Sequence, residues 1–200
     1  MRPLEDFVVE VEKRFNDQYT MSDGSVIYID TKYDEFNNRT VEGKVVAVPY
    51  KYETNVKAGD TMYFHHHVVI QKAQPIPLDE AKNQYVVKYN ETETLACQAI
   101  AYKDQETGEI KTLGGWVLLE KVEQETPETE GLIEVVKLDK EAISSGRFTT
   151  HNKKSEHLDI REGEMVYFRP NIAYEITIDG KDYLRMRPED LLYTIQDGEV

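Results

Sequence analysis

The chain has 200 residues, 40% hydrophobic and 31% charged, with a formal net charge of −14 at pH 7. No apolar run approaches the roughly 20 residues that span a bilayer as a helix, and an overall field of this sign repels nucleic acid and anionic lipid. A single cysteine, Cys97, excludes an internal disulfide, and Met1-Arg2-Pro3-Leu4-Glu5-Asp6 lacks the basic-then-apolar layout of a secretory leader, so a reducing cytoplasm is expected.

The first predicted strand covers residues 7–13, an apolar and β-prone run. A long polar loop follows, interrupted by Gly24-Ser25-Val26-Ile27-Tyr28-Ile29, and a second strand is expected over 43–48. Val56-Lys57-Ala58-Gly59-Asp60 reads as a turn whose glycine takes positive φ, and Thr61-Met62-Tyr63-Phe64 as the strand leaving it. Residues 71–84, with Pro75 and Pro77, read as an inserted loop. Strands at 85–89 and 93–97 flank Asn90-Glu91-Thr92, and the polar stretch 103–109 reads as a connector or hairpin turn.

The chain then repeats itself. An opening strand at 116–121 precedes a second polar loop with its own apolar insert, Gly131-Leu132-Ile133-Glu134-Val135-Val136, and a strand at 146–150. Ile160-Arg161-Glu162-Gly163-Glu164-Met165-Val166-Tyr167-Phe168 returns the phrase of residues 56–64, with base, Gly, acid and Tyr-Phe in the same places. Strands at 174–178 and 182–186, matched to 85–89 and 93–97, are joined by Asp179-Gly180, a strong hairpin signal. A closing strand near 188–195 is expected to pair with the opening one. Such repetition fixes the number of folding units at two, residues 1–104 and 105–200. Each is expected to be all-β, and a small barrel is the economical form because closure removes exposed sheet edges.

No Gly-rich phosphate loop, nucleophile elbow or Cys-His motif is present, so no catalytic residue is assigned and no enzyme is expected. His65-His66-His67 invites a metal reading, with His65 and His67 on one face of a strand. A usable site needs further ligands that the sequence does not supply, His151 and His157 lying in the other unit, so no metal is assigned. Cys97 is expected to be a buried small hydrophobe, and Trp116 and the tyrosines to belong to core and subunit contacts. The apolar patches inside the two long loops either tuck into their own barrel or dock into another protein.

The ordered set of strand, loop with Gly-led apolar patch, Val-Lys-Ala-Gly-Asp or Ile-Arg-Glu-Gly-Glu, and closing Asp190-Leu191-Leu192-Tyr193-Thr194-Ile195 resembles the GroES family of co-chaperonins, in two tandem copies. The resemblance implies tandem GroES-like β-barrels with long mobile loops, in a homo-oligomeric ring that caps the folding cage of a GroEL-type chaperonin. No cofactor is implied, since ATP is bound by the chaperonin. Docking would fall to Val26, Ile27, Tyr28 and Ile29 in the first loop, and to Leu132, Ile133 and Val135 in the second, where Glu134 interrupts the apolar run. Short segments at 49–55 and 151–156, where bacterial members carry a roof hairpin, resemble roof-less phage-encoded co-chaperonins acting in the host cytoplasm. The alternative is a phage structural or interaction protein that keeps the barrel without binding a chaperonin. A chain with two barrels cannot fill a sevenfold rim evenly in one tier.

Overall fold

The computed structural model describes residues 3–21, 23–31, 38–70, 83–122, 144–169 and 171–194. Among them every regular element is a β-strand or a short 3₁₀ turn, all strand pairs are antiparallel, and no helix is long and apolar enough to cross a membrane. Contacts divide the chain into Met1–Gly114 and Gly115–Val200.

The first unit holds β1 (Phe7–Glu10), β2 (Gln18–Thr20), β3 (Val26–Tyr28), β4 (Glu42–Ala47), β5 (Thr61–Phe64), β6 (Gln84–Val87), β7 (Ala99–Lys103) and β8 (Ile110–Thr112). Six of these form a sheet in the order β6-β1-β4-β5-β7-β8, and β2 and β3 form a separate ribbon. The second unit holds β9 (Val117–Lys121), β10 (Ser144–Phe148), β11 (Met165–Phe168), β12 (Tyr174–Ile178), β13 (Lys181–Met186) and β14 (Leu191–Thr194), ordered β12-β13-β9-β10-β11-β14.

The two sheets match residue for residue at their centres. Glu10 pairs with Lys44 as Glu120 pairs with Arg147, and Phe64 meets Ala99 beyond a bulge as Phe168 meets Leu191 beyond a bulge. The repeated phrase is the same turn twice. Gly59 (φ 105°) and Gly163 (φ 82°) occupy the left-handed region. Their amides donate to Val45 O at 2.8 Å and Phe148 O at 2.7 Å. The acid that follows explains itself: Asp60 Oδ2 accepts the Lys57 amide at 2.8 Å and Glu164 Oε2 the Arg161 amide at 2.9 Å. That backbone bond holds the Glu164 carboxyl below the usual range. Each sheet wraps one apolar core, Phe7, Val9, Met62, Phe64 and Val87 with others in the first unit, Val117, Leu119, Phe148, Phe168 and Met186 in the second.

Several expectations change. The strand that pairs with the opening strand is β6 in the first unit and β13 in the second, so Tyr85 corresponds to the β13 position and not to Tyr174. Residues 93–97 are not a strand. Thr94–Ala96 is a 3₁₀ turn equivalent to Pro188–Asp190, where Asp190 accepts two 2.8 Å bonds from Arg187. Buried Cys97 closes the first of these turns, its thiol donating to Ala99 O at 3.2 Å. β14 pairs with β11 and not with the opening strand. Gln84 already belongs to β6, and the segment read as an insertion joins the two strands whose counterparts in the second unit are joined through β12; residues 71–82 lie outside the described residues. The connector at 103–109 is a hairpin turn, braced by Asp104 Oδ1 accepting the Glu106 and Thr107 amides at 2.8 and 3.0 Å. The strand that leaves it, β8, lies on β7, which carries the contact boundary ten residues past the division at 104.

Candidate functional site

The long connection between β1 and β4 carries the β2–β3 ribbon. Its turn is built locally: Gly24 takes φ 83°, Met21 N donates to Ser25 O at 2.8 Å, and Asp23 Oδ1 accepts both the amide (2.9 Å) and the hydroxyl (2.6 Å) of Ser25. Those two bonds hold the Asp23 carboxyl below its ordinary range. Below the turn Gln18 pairs with Tyr28, Tyr19 with Ile27 and Thr20 with Val26. The ladder runs on through Ile29 N to Asp17 O at 2.9 Å and Asn16 N to Asn38 O at 2.7 Å. At the root, Thr40 Oγ1 donates to Lys13 O at 2.6 Å, and Arg14 Nε donates to Val69 O at 2.7 Å.

All four residues of the first apolar patch are exposed, Ile27 at 50% and Tyr28 at 73%. Strand alternation sorts them. Tyr19, Met21, Ile27 and Ile29 fall on one face of the ribbon, whereas Val26 and Tyr28 share the other with Gln18 and Thr20. Tyr19 and Met21 are thus the residues that sequence reading missed; the alternation Gln18-Tyr19-Thr20-Met21 ahead of Asp23-Gly24 was the available signal. Leu132, Ile133 and Val135 lie outside the described residues.

The histidine cluster is rearranged relative to the strand reading. β5 ends at Phe64, and His66–Ile70 is a 3₁₀ turn, which folds the three rings together with centroids 4.2, 4.3 and 4.4 Å apart. His66 is buried, His65 half-buried and His67 exposed.

With this geometry in place, residues 109–195 match the family model of the chaperonin 10 kDa subunit. The co-chaperonin GroES of Halalkalibacterium halodurans is 32% identical over 93 residues, covering 43% of this chain and 98% of that protein. GroES of Thermus thermophilus is 34% identical over 95 residues, 44% of this chain and 92% of that protein, and that of Deinococcus radiodurans 30% over 95 residues, 44% and 99%. The chain belongs to the chaperonin 10 family.

The chaperonin 10 match begins at residue 109, one residue ahead of β8. The opening strand of the matched sequence is therefore the strand that covers the outer edge of β7, through Ala101↔Thr112, Tyr102↔Lys111 and Lys103↔Ile110. β14 holds the place of β7 in the second sheet, and its outer edge carries no strand among the described residues. Leu192 and Tyr193 on it are 50% and 47% exposed.

Proposed function

We propose that this chaperonin 10 chain is a non-enzymatic cytoplasmic co-chaperonin that caps a GroEL-type chaperonin, docking through Val26, Ile27, Tyr28 and Ile29 while the chaperonin binds and hydrolyses ATP. The observation that carries this reading is the β2–β3 ribbon, whose backbone bonds are made internally while its apolar side chains stand in solvent. An exposed apolar ribbon of this kind is hard to explain as core and suits an apolar groove on a partner. The matching register of the two sheets supports a second, divergent family copy in the first unit. In the second loop, Leu132, Ile133 and Val135 are the weaker docking set, because burying Glu134 without a partner is costly. Residues 48–60 and 149–164 contain no strand, which supports the roof-less, phage-encoded reading.

The same reading calls for a homo-oligomeric ring, and β14 supplies an edge for it. A neighbouring copy is expected to cover this edge as β8 covers β7. Two measurements test the proposal. Incubated with a GroEL-type chaperonin and ATP, the chain should give end-capped particles by electron microscopy; bare particles would favour the structural-protein alternative. Native mass spectrometry should show a homo-oligomer, and a monomeric full-length chain would defeat the ring.

A further inference from the structure

We propose that His65, His66 and His67 form a binding site for one divalent transition-metal ion of the zinc, nickel or copper type, at the junction of β5 and the 3₁₀ turn. Neutral imidazole is the ligand such ions share, and three protein ligands with an open position for water make a complete coordination pattern. The candidate ligand atoms of the three residues lie within 4.8 Å of one another. Nitrogens bound tetrahedrally at about 2.0–2.1 Å from an ion sit about 3.4 Å apart. The remaining closure is a matter of ring rotation in exposed His67 and half-buried His65, with buried His66 as the fixed point.

The fold, and not the bare run of histidines, makes this arrangement. In an extended strand the middle ring would point away from its neighbours. Here His65 is anchored as its amide donates to Gln98 O at 3.0 Å, and the turn closes as Val68 N donates to His65 O at 2.9 Å. His67 N also donates to His65 Nδ1 at 3.3 Å. That contact presets the neutral tautomer with its proton on Nε2 and its lone pair on Nδ1, and an ion bound through Nδ1 would take the place of the amide.

The site sits next to the docking ribbon in the bonding network. Val69 O, in the same 3₁₀ turn, accepts the Arg14 guanidinium at the root of the ribbon. An ion that stiffens this turn therefore stiffens what the ribbon is anchored to.

The test is zinc titration of the full chain at about pH 7.5, where unperturbed imidazole is neutral, in competition with a chromophoric chelator and in parallel with thermal unfolding. One zinc per chain is expected, with the tyrosine-detected transition raised by about 10 °C when zinc exceeds the dissociation constant a hundredfold. The His65→Asn/His67→Asn variant, which spares the buried ring, should lose at least about tenfold in affinity together with the thermal shift. Consecutive histidines in an unfolded chain also bind such ions, so zinc uptake without stabilisation would overturn a site built by the fold. So would unchanged affinity in the double variant, which would place the ion at other residues.

Discussion

The Ile27→Ser/Tyr28→Ser variant is expected to lose ATP-dependent capture of a GroEL-type chaperonin by at least about 100-fold in a pull-down. Burying an apolar side chain of this size is worth about 1.5–3 kcal/mol, and the change removes one such group from each face of the ribbon. In a ring the deficit recurs at every docked loop, because linked contacts multiply through effective concentration. Both side chains are exposed, so the barrels should not register the change: far-UV circular dichroism and the melting temperature should match the parent. Tyr19→Ser tests the face that pairing assigns, since Tyr19 lies opposite Ile27. It should weaken capture about tenfold, whereas Gln18→Ala, which removes little apolar surface, should not. Unchanged capture by the Ile27/Tyr28 variant would remove the ribbon from the docking site.

The second large effect concerns Gly146. A Cβ there would lie 2.9 Å from both Glu120 O and Leu119 Cβ, where β10 pairs with β9. A carbonyl in a paired strand cannot step aside, so Gly146→Ala should cost about 3 kcal/mol, the upper end of overpacking penalties. For a unit of this size the loss corresponds to a fall of about 15 °C in melting temperature. The single tryptophan, Trp116, is buried in the same unit with Arg185 stacked 3.7 Å above its ring, so its fluorescence reports this transition. Gly180 is the control: nothing lies within 4 Å of its notional Cβ, and only its φ of +77° opposes a side chain. Gly180→Ala should cost about 1 kcal/mol. A tryptophan-reported shift for Gly146→Ala no larger than the control's would refute the close-approach argument. Gly43, with Glu10 O and Val11 Cγ1 each 3.0 Å from its notional Cβ, occupies the same position on β4 beside β1 in the first unit.

What the sequence disclosed follows from which interactions are local. The turns at Gly59 and Gly163 were legible because the bonds between Lys57 and Asp60 and between Arg161 and Glu164 close within three residues around a glycine, and so was the Asp179-Gly180 hairpin, whose two residues take φ 52° and 77°. Strand identity was less legible. Tyr85-Val86-Val87 resembles Tyr174-Glu175-Ile176 in pattern, yet its place is set by pairing with β1, a contact across most of the first unit. Thr94-Leu95-Ala96 shares no residue with Pro188-Glu189-Asp190, so their common 3₁₀ geometry could not be matched by eye. The apolar patch in the first loop stood out by composition. Its partner strand did not, because Tyr19 and Met21 are separated by polar residues and acquire a face only once the ladder forms. The approach of three histidine rings was hidden for a related reason, since strand periodicity hands the middle one to the opposite side.

The Asp23 carboxylate, bonded twice to Ser25 at the tip of the ribbon, carries a meaning for binding as well as for folding. A two-stranded ribbon is only marginally stable by itself, so the fraction of time it spends folded rests heavily on its turn. On the proposed function, substitutions at Asp23 or Gly24 would therefore reset the ribbon's apparent affinity for its partner while leaving every apolar contact chemically unchanged. Capture of the proposed chaperonin partner can then be tuned from a position that need never touch it.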